Sequence, residues 1–420
     1  MAAEAASALK QAAALRMRRG RLAEARLTSF ARIYLPDRFD LPWCEMHGES
    51  GASLGAVGRG GIHLAVAAPQ RSGKTSLFGL ALPIWAAAFR SVRHIAILSV
   101  DKYEAQRRIA ELDYALSSAT QLSQDVRLAR RCRSRSFEIE LAGGATIIAA
   151  KMGAPWRTLR RAGRGPDLLI LDDVEGSPED ARAEFMSRLA WLDEGMAREL
   201  PKDGAIIVCG SIQHERSMLA ELVDHATRPG WHKIAFAAVE RFGNAQAEWN
   251  RWERIASGHE TFDNATGPVA ARSFYLAHRD AMDEGALTHW PEAFDIERMN
   301  AERLRLGKEL WCATMLNDPG AHRVNYWRVR GGPVDPRYES TMQLFDEWDG
   351  ARLYQAHDPD ILNPQRDPSV SEVVVIREEV ATGEREAVDV YVDRRKIRVR
   401  PLEALKRRIA REQAQNPPQS

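Results

Sequence analysis

IHLAVAAPQRSGKTS, residues 62–76, sets the reading of this chain. The run from Ile62 to Ala68 is apolar without alternation, the pattern of a strand buried on both faces of a parallel sheet. Gly73, Lys74 and Thr75 then open an apolar helical segment, Leu77 to Phe89. Strand, loop and helix in that order turn backbone N–H groups and a helix N-terminus toward phosphate. Lys74 reaches the outer phosphates and the Thr75 hydroxyl joins Mg²⁺. The loop departs from G-x-x-x-x-G-K-[ST] at one point, with Ala68 where the first glycine belongs.

A second stretch completes the chemistry. DLLILDDVE, Asp167–Glu175, is four apolar residues ending in paired carboxylates, the way a strand delivers an Asp to the Mg²⁺ of a nucleotide site. Asp172 is the expected metal residue, and Asp173 or Glu175 would orient the attacking water. The plainer reading of such an acidic pair is a helix cap followed by a solvated turn. Together the two stretches predict an ATPase using ATP and Mg²⁺.

Composition sets wide bounds. The chain has 420 residues, enough for two or more domains, and its 59 basic against 58 acidic residues leave a net charge of +1. Overall charge therefore argues neither for nor against nucleic acid. Arginines nonetheless crowd three places: Arg127–Arg135, Arg157–Arg164, and a basic tail from Arg394 to Arg411. Each is also readable as a solvated face. Cys44, Cys132, Cys209 and Cys312 are widely spaced and predict neither a disulfide framework nor a zinc site, in keeping with a reducing cytosol. The N-terminus lacks the apolar core of a signal peptide and no run reaches membrane-spanning length, so a soluble, cytosolic protein without a membrane partner is expected.

In chain order, Ala2–Phe30 has the composition of a helix or two, ended by Leu35-Pro36. LPWCEMH, Leu41–His47, precedes the first core strand; Trp43 is placed either on an adenine ring or in ordinary packing. RHIAILSV, Arg93–Val100, reads as a second strand, and Asp101 starts a charged helix. FEIELAGGATIIAA, Phe137–Ala150, reads as a hairpin around Gly143-Gly144. The loop Lys151–Gly165 offers Arg161 or Arg164 as an arginine finger, in the same subunit or a neighbour. Ser177–Leu200 reads as helical. Ala205–Cys209 is a further strand whose following Gly210 and Ser211 lie at a ligand-binding edge. This alternation predicts a doubly wound α/β domain. After Trp231 the pattern weakens; Ile296–Leu316 is helical, and Ala351–His357, Val373–Ile376 and Val388–Val392 are strand-like.

At this point the residues resemble those of the large terminase subunit of tailed bacteriophages, over about Leu41 to Asp393. PWCEMH is similar to the segment carrying adenine contacts, and APQRSGKTS to the family's deviant phosphate loop. RTLRRAGRGPDLLILDDVEG is similar to its arginine-rich approach to the acidic strand, and IIVCGSIQHERSML to its coupling segment. WPEAFDIERMNAERLRLGKELWCATMLNDP, Trp290–Pro319, resembles the connection between motor and nuclease.

The resemblance implies a P-loop NTPase sheet, a linker or lid, and the beginning of an RNase H-like nuclease. Its divisions would be a helical arm (1–40), an ATPase motor (41–230), a linker or lid (231–345) and a partial nuclease (346–420). ATP would lie on Gln70, Arg71, Ser72, Gly73, Lys74 and Thr75, with Trp43 at the base. Gly210 and Ser211 would couple hydrolysis to movement. Asp358 would be the first nuclease carboxylate, for Mg²⁺ or Mn²⁺, with Asp360 a neighbour and Asp367 before the next strand. The expected partners are double-stranded DNA, a portal protein and a small terminase subunit, in a homo-oligomeric ring in the bacterial host cytoplasm.

Two departures accompany the resemblance. Asp173 stands where many relatives have Glu, and the chain after Asp358 is short for a whole nuclease, so cleavage is not expected from this chain alone. A cellular helicase or translocase, and a non-catalytic prophage remnant acting as an adaptor, are the alternative readings.

Overall fold

A computed structural model describes residues 2–126, 131–224, 227–320, 343–348, 351–357, 371–379 and 385–393. Two compact units divide the chain, Met1–Gly320 and Ala321–Ser420.

The first unit is built on an eight-stranded sheet. Its strands are β1 (His63–Ala67), β2 (His94–Ser99), β3 (Arg131–Arg135), β4 (Glu138–Leu141), β5 (Thr146–Lys151), β6 (Leu168–Asp172), β7 (Ala205–Gly210) and β8 (His232–Ala235). The order is β3-β4-β5-β2-β6-β7-β1-β8. From β5 to β8 all pairings are parallel, and the β3–β4–β5 edge is antiparallel. The expected α/β class is therefore the one observed.

Unbroken apolar strands follow from burial on both faces. Leu64 and Val66 of β1, Ile95 and Ile97 of β2, and Leu168 and Ile170 of β6 join one hydrophobic cluster. Their alternates, Ala65, Ala67, Ala96, Leu98, Leu169 and Leu171, join the cluster on the other face. The first cluster also takes Leu27, Phe30, Ala31 and Tyr34 from the N-terminal helices. Trp85 Nε1 donates to Ala23 O at 2.9 Å, and Arg19 forms a two-pronged ion pair with Asp125 at 2.9 and 3.1 Å. From Ala23 to Phe39, the segment expected as an arm, 1–40, thus contributes to the core of this unit.

The sheet also continues past residue 230. Strand β8 pairs in parallel with β1, Leu64 opposite His232 through Ala67 opposite Ala235. Beyond it come β9 (Val239–Arg241) and β10 (Leu287–Thr288), paired antiparallel, and helices Gln246–Ala256, Gly267–Asp283, Ile296–Leu306 and Lys308–Leu316. Residues 231–320 therefore share one compact unit with the expected motor segment.

The second unit shows four strands, β11 (Gln343–Trp348), β12 (Ala351–His357), β13 (Ser371–Glu379) and β14 (Arg385–Asp393). They form an antiparallel meander in the order β11-β12-β13-β14, one strand more than the three strand-like runs of the sequence. Asp358, Asp360 and Asp367 lie outside the described residues.

Candidate nucleotide site

The two motif strands, β1 and β6, flank β7, so the phosphate loop, the acidic pair and Gly210-Ser211 converge at one carboxyl edge of the sheet. Ala68 N donates to Gly210 O and Asp173 N to Cys209 O, both at 2.9 Å, tying the ends of the three strands together. The loop turns tightly: Ser72 N bonds Pro69 O at 3.2 Å, and Arg71 and Gly73 take φ of 63° and 77°. Glycine adopts this left-handed conformation freely; arginine is strained there. A π-helical turn, Thr75–Ala81, follows and runs into Leu82–Phe89. Pro83 lacks the N–H that would bond the Gly79 carbonyl, which favours the wide turn just before it.

Charge is concentrated on this edge. Lys74, 4% exposed, places Nζ 3.3 Å from Asp173 Oδ2 and 3.4 Å from Pro69 O. The Thr75 hydroxyl donates to Asp172 Oδ1 at 3.0 Å. Arg108, a buried residue of helix Lys102–Ser118, stands 2.9 Å from Asp172 Oδ2, at an angle outside hydrogen-bond geometry, so Oδ2 is buried without a donor. Burial raises the Asp172 carboxyl above its ordinary range, opposed by Arg108. Gly79 makes this approach possible, because a Cβ there would stand 2.7 Å from Asp172 Oδ2.

A hydroxyl and a carboxylate oxygen side by side are the donors a hard divalent cation takes, with phosphate and water completing its shell. Among the described residues no group of three or more His, Cys, Asp or Glu converges on a metal position. Thr75 and Asp172 therefore fit Mg²⁺ held jointly with a nucleotide.

The other acidic residues part company. Asp173, with φ 48°, is exposed and faces Lys74. Glu175 is buried and accepts from Met218 N at 2.6 Å and Leu219 N at 3.2 Å, capping helix Met218–Val223. Its carboxyl is raised by burial, against those two bonds. Of the two candidates for orienting water, Asp173 is exposed beside Lys74 and Glu175 is buried against the helix start. Gln70, Asp173, Glu175, Gly210 and Ser211 line a cavity of about 220 Å³.

On the other side of the loop, Trp43, His47, Arg71, Gly73 and Trp290 line a second cavity of about 460 Å³. Trp43 lies 5.0 Å from His47 and 5.3 Å from Phe39, and His47 lies 4.8 Å from Trp290, ring centre to ring centre. Trp43 thus both packs and lines the cavity. Cys44 N donates to His47 Nδ1 at 3.3 Å, which leaves the ring proton on Nε2 for its bond to the Ser72 backbone. Burial pushes His47 down to about 4, so it is neutral at ordinary pH.

The arginine loop does not reach this edge. It starts at Lys151 on the carboxyl side, but Arg161 and Arg164 pair backbone to backbone in a turn near the opposite edge, with Arg161 Nε 3.3 Å from Glu138 Oε1. Leu159 O in the same loop contacts His94 Nε2 at 2.5 Å, at the start of β2. Five residues of strand, about 16 Å, separate the two edges. A finger role within the same subunit is therefore not supported by this geometry. Arg108, His47 and Asn317 are the residues that the motifs did not single out. Their sequence signal was weak: Arg108 is one of several charges in the helix after Asp101, and His47 and Asn317 sit in the Leu41–His47 and Trp290–Pro319 stretches without a chemical pattern of their own.

Fold and edge together give a mostly parallel α/β sheet whose carboxyl edge gathers the candidate nucleotide-site residues. No protein-family model matches the chain, and no curated protein matches it either. The chain is similar in structure to large terminases of phages. For the HK97 bacteriophage large terminase the identity is 15% over 82% of this chain and 62% of that one, with a TM-score of 0.41. For the large terminase of a thermophilic bacteriophage, solved in complex with ADP, it is 13% over 83% and 69%, TM-score 0.33. For the ATPase domain of a Thermus phage large terminase it is 14% over 52% and 82%, TM-score 0.28. The match thus spans less than two thirds of the HK97 chain. Likeness at this level carries no argument about activity. No described helix is long and apolar enough to cross a membrane.

Proposed function

We propose that this chain is an ATP-hydrolysing motor of the large-terminase kind, moving double-stranded DNA. The observation that carries the reading is the pair of contacts across one sheet edge, Lys74 to Asp173 at 3.3 Å and Thr75 to Asp172 at 3.0 Å. A surface turn has no reason to bury a lysine against an acidic strand end.

In this reading the phosphates lie on Gln70–Thr75. Lys74 exchanges Asp173 for the outer phosphate, and Asp173, so released, accepts the proton side of the attacking water. Thr75 and Asp172 hold Mg²⁺, which when bound neutralises charge on the phosphate oxygens. Glu175 supports helix Met218–Val223 and with it the Gly210–Ser211 edge. Trp43 and Trp290 offer the base an aromatic cavity. Arg161 or Arg164 serves a neighbouring subunit, in a ring built on a portal protein with a small subunit, in the host cytoplasm. DNA is gripped through its backbone, with salt-sensitive and sequence-independent affinity. The antiparallel sheet β11–β14 supports the beginning of a nuclease over the second parallel motor unit of a helicase, with Asp358 as its first carboxylate.

ATP hydrolysis by the purified chain, with and without duplex DNA, and plasmid cleavage in Mn²⁺ test this together. Hydrolysis that disappears in Lys74→Ala is the expected result. Hydrolysis unchanged by that substitution overturns the motor, and a chain that binds DNA but hydrolyses nothing is an adaptor.

A further inference from the structure

Helix Lys308–Leu316 ends beside the candidate nucleotide edge, and two of its last carbonyls accept from loops. Thr314 O accepts from Gln70 N of the phosphate loop at 2.9 Å. Met315 O accepts from Ala238 N, just past β8, at 2.7 Å. Asn317 caps the helix in the left-handed conformation, φ 54° and ψ 31°. Its Oδ1 accepts from Ile212 N at 2.9 Å, and its Nδ2 donates to Phe236 O at 2.6 Å. Only this orientation of the amide satisfies both partners; the flipped one would set N–H against N–H and oxygen against oxygen.

Three loops therefore meet at one helix end: the phosphate loop, the segment after β7, and the segment after β8. Phe236 N in turn bonds Ala67 O, the last residue of β1, at 2.9 Å. Gln70 and Ser211 line the cavity beside Asp173, so a displacement of Ser211 in that cavity carries the Ile212 N–H with it. The first unit ends at Gly320, shortly after Asn317. A helix cap alone requires a residue that tolerates the left-handed conformation; it does not require bonds to two distant loops.

We propose that Asn317 is a positioning residue that registers the Gly210–Ile212 segment against the phosphate loop and carries its nucleotide-dependent displacement to Asp318–Gly320. The proposal rests on the nucleotide-site reading above. Asn317→Gly separates it from simple capping, because glycine keeps the left-handed cap and its backbone N–H bond to Cys312 O while deleting both side-chain bonds. Asn317→Asp keeps the cap and the acceptor for Ile212 but sets a carboxylate oxygen against Phe236 O.

The test uses the full chain, with three readouts: affinity for a fluorescent ATP analogue, ATP hydrolysis with and without duplex DNA, and backbone hydrogen exchange at 210–213 and 318–320 in ATP against ADP. For Asn317→Gly, analogue affinity is expected within about threefold of wild type, while DNA stimulation falls at least about fivefold, the scale of a modest coupling energy. The ATP–ADP exchange difference at 318–320 is expected to vanish while that at 210–213 persists. Asn317→Asp is expected to lose part of the difference, and it carries the test if the glycine variant does not fold. A variant that folds, binds the analogue and keeps both stimulation and the 318–320 difference overturns the proposal and leaves Asn317 a cap. A wild-type chain that binds no nucleotide overturns the site reading itself, a separately visible result.

Discussion

Strand β6 carries a carboxylate at each end, and the two are used differently. Before its start, Asp167 Oδ2 accepts Arg93 N and His94 N, both at 2.9 Å. At its finish, Asp172 is wholly enclosed, keeps one oxygen without a donor, and is approached by Thr75 and by the buried Arg108. Near the first edge, charges meet at the surface, as in Arg160 with Glu199, both bonds 2.7 Å. At the second, Lys74 and Asp172 are buried, and Arg71 and Asp173 hold left-handed backbone. Left-handed backbone occurs near both edges, Ala162 (φ 48°) included, so what sets the carboxyl edge apart is its buried charge: an enclosed lysine and an enclosed carboxylate oxygen without a donor.

The sharpest way to break that comparison is to remove a charge from the carboxyl edge. Lys74→Ala or Asp172→Asn is expected to lower ATP hydrolysis by at least about 100-fold, the scale of losing one preorganised electrostatic contact. Steady-state phosphate release measures it, and activity within twofold of wild type would erase the distinction between the edges.

Gly79→Ala tests whether the approach to Asp172 is as close as it looks. The added methyl would meet Asp172 Oδ2 at 2.7 Å. Overpacking of this kind costs about 1–3 kcal/mol, and a denaturant titration should show it beside a hydrolysis rate reduced about tenfold.

His47 gives the edge a pH dependence. Its native value of about 4 lies below the ordinary 6.5, so between those values the unfolded chain binds the extra proton. Stability is fully present above pH 6.5 and is lost as pH falls toward 4. Between pH 6.5 and 5 the loss from this residue is about 2 kcal/mol. Urea midpoints measured across that range should flatten in His47→Gln; equal slopes in both proteins would show that His47 titrates elsewhere.

The smallest effect belongs to the amino edge. Arg160 is exposed and its pairing with Glu199 is a surface contact, so Arg160→Ala should leave both the melting temperature and hydrolysis by the isolated chain unchanged. A loss of hydrolysis there would mean that this edge also acts on the nucleotide within one subunit.

Much of this was legible beforehand, and the reasons are local. Strands β1, β2, β6 and β7 announce themselves because burial on both faces leaves runs without polar interruption. Strand β3 is RCRSR, an edge strand with no apolar face to read, and β8 is HKIA, in which only Ile234 is buried. Lys74, Thr75 and Asp172 were named from motif spacing, and the fold brings them to one edge. Sequence left the roles of Asp173 and Glu175 open because what separates their surroundings, the start of helix Met218–Val223 bonded to Glu175, lies more than forty residues away. Nor does sequence give a loop a direction: Arg161 and Arg164 follow Lys151 in the chain yet sit near the far edge. Asn317 was invisible as a hub because its partners Ile212 and Phe236 are 105 and 81 residues away.

Strands buried on both faces also shape how this chain finds its native pairing. In a half-buried strand, a slip by one residue turns polar groups inward, and water itself enforces the register. Here a slipped β2 or β6 would remain apolar on both sides and be rejected only by size, as Ile95 and Ile97 tried to occupy space cut for Ala96 and Leu98. The polar pins at the strand ends, Asp167 on Arg93 and His94 among them, therefore serve as the indexing marks of the sheet. Removing them would be felt first as slow or misaligned refolding, before any loss of the finished structure.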